Sequence, residues 1–400
     1  MRQNEKLTER NRDRALGCLV GGAVGDALGY AIEIEQWPYI HNTYGDKGIK
    51  RYELAGNGKA LISDDTQMTL FTAAGILLGM TRGCMRGVMG RIDTYCHWTY
   101  LDWLHTQQWD SRKPDERTDS WLMDVPELYA RRAPGNTCMS ALISMENDRP
   151  VNNNSCGCGG VMRTAPLAIL DYLHGYADGD YKYCDMVAAE AARMTHKHPL
   201  GFLPSAVLND ILMQIFNGDV NCASDLWRAV MEAVDRLPEI VSEPDGGKTY
   251  GELWPEDVCR LSNILEKALQ MSASGFYDHV AIERIGGGWT GHEALAIAIY
   301  SAVKHFDSFE DAIISSVNHS GDSDSTGAIC GNIMGAIHGR SAIPEHYTND
   351  LELLDVIEEI AEDLYTGCIV SEYGENDTQA ELRWIEKYCH YRRVIKDFNV

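Results

Sequence analysis

An all-α fold, a single compact multi-helix domain, is predicted by three observations on this 400-residue sequence. Apolar residues recur three and four positions apart over seven long segments, the period of one helix face. Convincing alternation of the strand type is scarce. Glycines repeat every four residues in two segments, which is most simply explained by helices whose backbones touch.

The first glycine run is Gly17, Gly21, Gly25 and Gly29; the second is Gly327, Gly331, Gly335 and Gly339. Residues four apart share a helix face, so each run makes a groove without side chains. Glycine weakens a helix interior by roughly 1 kcal/mol relative to alanine, and close backbone packing offsets that cost. In a membrane such a stripe would mark a dimer face, but Asp26, Asn332 and His338 interrupt the runs and favour a buried soluble pair. Packing the two helices together would bring Asp26 and Glu33 towards Asp322. Residues 66–80, 183–194, 203–216, 224–236, 255–272, 293–305 and 351–364 read as helices with apolar faces. Thr290 and Glu293 have the spacing of a capping box. Loops are expected at 44–59, 107–119, 147–160 and 242–251, and a charged helix at 377–400. All of 1–400 is read as one domain, with an insertion at about 218–287 and C-terminal helices over 351–400.

Composition narrows the partners. With 44% hydrophobic residues the chain can bury a large core. A formal net charge of −24, spread along the chain, repels polyanions and argues against nucleic acid or an anionic membrane as partner. Residues 1–14 are charged and lack a signal-peptide core, and no uninterrupted apolar run reaches membrane-spanning length. Twelve cysteines without framework spacing are expected to be reduced thiols in a cytoplasmic protein. Cys156 and Cys158 form the only tight pair, and buried or pocket-lining thiols are a better reading of it than zinc ligands.

Two acidic turns carry most of the chemistry: Ser63-Asp64-Asp65-Thr66 and Gly321-Asp322-Ser323-Asp324-Ser325-Thr326. Taken singly, either is an ordinary helix N-cap, in which one side-chain oxygen accepts free backbone N–H groups. Together they hold more carboxylate than capping uses. If they meet in the fold, four carboxylates plus hydroxyls make an all-oxygen pocket suited to a pair of hard cations such as Mg²⁺, Mn²⁺ or Ca²⁺.

At this point five motifs coincide in order. They are G-x-x-x-G-D-A-x-G from Gly21 to Gly29 followed by Glu33, S-D-D-T at Ser63, and G-C-G-G-V-M-R from Gly157 to Arg163. T-H-x-H-P at Thr195 and G-D-S-D-S at Gly321 complete the set. The chain thereby resembles the ADP-ribosylglycohydrolases over about residues 12–340, a family whose fold is a single all-α domain. The resemblance implies that Ser63, Asp64, Asp65, Asp322, Asp324 and Ser325 hold two Mg²⁺ (or Mn²⁺) ions. It places Gly157, Cys158, Gly159, Gly160, Met162, His196 and Asp26 around the ADP-ribose, and Glu33 at a position that gates the metals. Many members carry asparagine where this chain has Cys158, and threonine where it has Ser63. Read alone, His196 is a helix-end histidine, Glu33 a solvated helix residue and 157–160 a turn. Asp26 fits a brace for the neighbouring turn as well as a ligand contact, and Arg163 fits a carboxylate partner that ties down its loop.

The implied reaction is hydrolysis of the bond between the anomeric carbon of ADP-ribose and a modified side chain, most simply arginine. Asp65 or Asp324 would combine ligation with proton handling, with Glu33 the second candidate. The expected partner is therefore an ADP-ribosylated protein or another ADP-ribose conjugate, with residues 218–287 shaping the acceptor side. Serine-linked or small-molecule conjugates, a two-metal phosphohydrolase, and a non-catalytic binder or immunity protein are the alternatives.

Overall fold

Caps set where the helices begin and end, and they shift several expected ends by a few residues. The computed structural model describes residues 8–108, 119–175, 180–371 and 378–389. Asp64–Arg86 starts at its Ser63 cap and stops at Gly87, whose φ of 69° the other L-residues rarely adopt. Pro199–Asn217 starts behind His198, whose ring accepts a first-turn N–H. Pro255–Ser272 has the expected limits, while the last expected core helix runs Leu354–Thr366. Among the described residues there are eighteen α-helices and one two-stranded hairpin, in which Val241–Ser242 pairs with Lys248–Thr249. The chain is an all-α, single-domain protein as expected. The hairpin, followed by the short helix Tyr250–Leu253, replaces the loop expected at 242–251.

Three other expectations change. Thr290 caps Gly291–Lys304 without a side-chain bond: its hydroxyl is buried and unpartnered, and Glu293 lies against Gly286 instead. Complete capping boxes form at Thr249–Glu252 and Thr378–Glu381. Two helices, Asp64–Arg86 and Pro199–Asn217, are long and apolar enough by length and composition to cross a membrane. Inside this fold 78% and 94% of their apolar windows are buried, so core packing accounts for the hydropathy. The charged C-terminal helix is present as Gln379–Tyr388; most of the loop at 107–119 and residues 390–400 lie outside the described residues.

The helices Glu9–Tyr30 and Ser323–His338 form the most extensive helix pair in the molecule. They run antiparallel with Gly17 facing Gly335, Gly21 facing Gly331 and Gly25 facing Gly327. A Cβ at any of these six would fall inside the van der Waals envelope of the facing carbonyl oxygen. Two members of the repeat differ. Gly29 faces the Ser323 carbonyl, and Gly339 is the C-cap at φ 83° rather than an interior residue. Asn332, which seemed to interrupt the stripe, clasps the pair: its Nδ2 donates to the Cys18 carbonyl at 2.8 Å, over Gly22. This register sets the end of the first glycine helix, with Asp26 and Glu33, against the start of the second, with Asp322 and Asp324.

Residues 218–287 are packed onto the same body. Ala223–Arg236 and Pro255–Ser272 bury Leu226, Val230, Leu261 and Leu265, and both helices pack on Pro199–Asn217 and Gly291–Lys304.

Candidate active site

Both acidic turns are helix N-termini, and capping explains part of their composition. Ser63 Oγ accepts the Asp65 N–H at 3.1 Å. Asp322 Oδ1 accepts the Ser325 N–H at 3.3 Å, and Asp324 Oδ1 accepts it at 3.0 Å. The two turns, remote in sequence, converge on one cleft of 310 Å³. Glu33, Asp64, Asp65, Asp322, Asp324 and Ser325 line it, together with Gly157, Cys158, Gly159, Met162 and His196.

Three expected site residues stand behind the wall. Asp26 is fully buried, accepts the Ser63 N–H at 3.0 and 3.1 Å and the Thr66 N–H at 3.1 Å, and binds the Thr66 hydroxyl. It braces the S-D-D-T turn from behind and is not part of the cleft lining, where the resemblance placed it around the ADP-ribose. Ser63 is buried as the cap of that turn. Gly160 packs against the Gly201 carbonyl. Residues that sequence reasoning missed are Trp289 and the stretch Ala133 to Cys138. Their signals were a tryptophan after three consecutive glycines, and Pro134-Gly135-Asn136 just ahead of a helix.

Charge in the cleft is one-sided, with no Lys or Arg among its lining residues. Burial, reinforced by Asp324, raises the pKa of Glu33 to about 8 and that of Asp26 to about 7. Asp64, Asp65 and Asp322 are pushed well above the usual carboxylate range, by burial first and, among the neighbouring charges, most by Asp324. Asp65 Oδ2 is buried without any hydrogen-bond partner. These oxygens are the donors that a hard divalent cation takes, and an unpaired buried carboxylate oxygen is what such a cation satisfies. Among the described residues, however, no three His, Cys, Asp or Glu side chains are already drawn together as a ligand set. The Cys158 thiol also occupies Asp322, donating to Oδ2 at 2.7 Å. The donor set fits in kind, and ligation requires the side chains to close inward.

The glycine loop is strapped down from outside: Cys158 N–H bonds the Trp289 carbonyl at 3.3 Å, and Gly157 N–H bonds Ser155 Oγ at 3.3 Å. Two of its donors are therefore engaged within the protein. Gly157 and Gly159 instead make room for His196, whose ring a Cβ at either position would touch. His196 is 2% exposed, and burial together with Arg163 lowers its pKa to about 3, so the ring is neutral. Arg163 Nη2 donates to Thr195 Oγ1 at 2.7 Å, and Thr195 Oγ1 lies 2.9 Å from His196 Nδ1. The Thr195 hydroxyl also lies 3.4 Å from the Ala192 carbonyl, and its bond to Nδ1 holds that nitrogen within the protein, leaving Nε2 on the side of the glycine loop. Arg163 itself spends its donors on Thr195, the Ala191 carbonyl and the sulfurs of Met68 and Cys138, and lies over the Tyr100 ring at 4.5 Å. Those contacts stand where a carboxylate partner was expected.

No disulfide joins any of the twelve cysteines in the described structure. The chain is 22% identical to ADP-ribosylhydrolase ARH1 of Dictyostelium discoideum, an alignment covering 90% of this chain and 97% of that one. It is 25% identical to the ADP-ribosyl-dinitrogen reductase glycohydrolase of Rhodospirillum rubrum, over 85% and 91% of the two chains. Identity to the ADP-ribosylarginine hydrolase Tri1 of Serratia proteamaculans is 24%, over 88% and 79%. A solved structure of an ADP-ribosylglycohydrolase-related protein complex shares the fold, with a TM-score of 0.58 at 21% identity over 90% of this chain and 99% of that one. The family model for ADP-ribosylglycohydrolases matches residues 7–373. With that match spanning nearly the whole chain, the protein belongs to the ADP-ribosylglycohydrolase family and is a glycohydrolase acting on ADP-ribose conjugates.

Proposed function

We propose that this enzyme removes ADP-ribose from modified protein side chains, with ADP-ribosyl-arginine as its preferred linkage, at a centre of two divalent cations. The observation that carries the reading is the convergence of Asp64, Asp65, Asp322 and Asp324 on one buried cleft with no Lys or Arg in its lining. A relative named as an ADP-ribosylarginine hydrolase supports the linkage.

Ser63, Asp64, Asp65, Asp322, Asp324 and Ser325 would hold Mg²⁺ or Mn²⁺; Ser63 Oγ keeps a lone pair beyond its cap bond. Bound there, the cations would supply charge that orients ribose hydroxyls and lowers the pKa of water. Asp65, whose Oδ2 accepts no hydrogen bond within the protein, is the candidate to combine cation ligation with taking a proton from the attacking water. Glu33 lines the same cleft and is the candidate to hand a proton to the departing nitrogen. In the tautomer whose Nδ1 accepts from Thr195, His196 presents Nε2–H, a donor for a sugar or phosphate oxygen.

Incubation with arginine- and serine-ADP-ribosylated peptides, with Mg²⁺ or with a chelator, tests the reading. Intact ADP-ribose is expected from the arginine conjugate alone, and none with chelator. Release of AMP or phosphate would support the phosphohydrolase, and release unaffected by chelation would remove the cations from the account. A finer prediction concerns His196. Thr195→Val is expected to lower kcat about tenfold to a hundredfold by freeing the imidazole tautomer, and Thr195→Ser to restore it. Should the serine enzyme stay as slow as the valine one, the hydroxyl does not position His196.

A further inference from the structure

A second cavity, of 590 Å³, lies beside the cleft and is walled by Trp37, His41, Asp46, Tyr277 and His279. Hydrogen bonds tie together the segments that wall the two. Trp37 N–H donates to Ser320 Oγ at 2.9 Å, and the Ile34 N–H donates to the Gly321 carbonyl at 3.2 Å. Asp322 and Glu33, each one residue away along the chain from Gly321 and Ile34, line the catalytic cleft.

Three rings form a ladder along this cavity. Trp37 stacks on His279 with centroids 4.3 Å apart and planes 12° apart, and His279 lies parallel to Tyr277 at 6.1 Å and 13°. Tyr277 is 80% exposed, more than any other large hydrophobic side chain among the described residues. The ladder is nevertheless held firmly. Asp278, between Tyr277 and His279, accepts from the Tyr300 hydroxyl at 2.8 Å, Lys304 Nζ at 2.8 Å and His305 Nε2 at 3.0 Å. A fixed aromatic face left open to water is a recognition element, since ordering it is already done.

Charge selects the occupant. The cavity lining contains no Lys or Arg, and the Asp46 carboxylate is solvent-exposed beside His41 at 3.1 Å. Glu283 and Asp278 act on His279 from the same helix, while burial lowers the imidazole pKa and keeps the stacked ring uncharged. A flat cation fits this combination better than an ammonium, because guanidinium stacks on ring faces while its N–H groups reach a carboxylate. Resting on the arginine-linked reading above, we propose that this cavity is an acceptor-side subsite for an unmodified arginine that neighbours the modified residue of the substrate protein.

The test uses peptides ADP-ribosylated on one arginine, with either arginine or its neutral isostere citrulline at the flanking positions. The wild-type enzyme is expected to show a KM about tenfold lower for the arginine-flanked peptide. Tyr277→Ala, at a position too exposed to carry the fold, is expected to erase that difference, and Trp37→Ala to do the same. In parallel, fluorescence anisotropy follows a labelled unmodified arginine peptide against its citrulline counterpart. Arginine-selective binding that Tyr277→Ala abolishes, without hydrolysis of any conjugate, would leave the subsite standing and overturn the proposed reaction. Equal KM values for the two peptides in the wild type, or a preference that survives both substitutions, would overturn the subsite and leave the reaction untouched.

Discussion

Asp65→Asn is expected to lower kcat/KM for ADP-ribose release by at least about a thousandfold while making the cation-free protein more stable. The two effects have one origin. Asp65 is 3% exposed, its Oδ2 has no partner, and Asp324, Asp64, Asp26 and Asp322 all oppose its charge. A buried carboxylate in that position disfavours folding unless a cation or proton neutralises it. An amide removes the charge, and with it the proposed proton acceptor and the proposed cation ligand. The sign of the pH dependence follows. Unfolded, these carboxyls release their protons near pH 4; folded, Asp26 and Glu33 hold theirs up to about 7 and 8. The folded state therefore binds more protons in between, and the cation-free wild type loses stability as pH rises from about 4 to about 8. Thermal melts of both proteins across that range, with and without Mg²⁺, give the check. The wild type should rise in Tm with the cation and decline with pH without it, and Asp65→Asn should do both less. A variant that keeps full activity, or that melts lower than the wild type at pH 8 without cation, would contradict this account of the cleft.

Gly331→Ala carries the second large effect, and it is structural. A methyl group there meets the Gly21 carbonyl of the facing helix, a backbone atom that no rotamer change can move aside. The helices must separate, and the whole pair moves with them, at a cost of about 3–5 kcal/mol. Separation also unseats the Asn332 clasp and parts Asp26 from the turn it braces. Gly56→Ala is the control, because a Cβ there meets open space and its backbone is not left-handed; its effect should stay within about 0.5 kcal/mol. Denaturant melts of the two variants decide the matter. Equal midpoints would mean that the stripe is not a packing requirement.

The glycine stripe also shows how far reading the chain could go. A four-residue repeat announces a bare helix face, and the excess of carboxylate over capping needs announces a cleft. Nothing local announces that Gly21 faces Gly331 rather than Gly327, yet that register decides which end of one helix meets which end of the other. Arg163 makes the same point on the scale of one side chain. Its motif is visible, but whether it grips a carboxylate or threads between Tyr100 and Thr195 depends on helices that only packing brings together.

By itself the sequence determined the two glycine helices and the seven apolar-faced ones, the caps at Ser63 and Asp322, the paired glycine faces and the motif order that marks the family. These are short-range properties: a helical period or a cap is settled by residues within a turn of one another. Tertiary structure alone decided that Asp26 braces a turn from behind, that Cys158 occupies Asp322, that Thr195 orients His196, and that Thr290 finds no box partner. The first two are contacts between segments far apart along the chain, and Thr195 is itself held by Arg163, from a separate segment. Such contacts are chosen by which surfaces fit at close-packed density, and residue type at one position does not encode the partner.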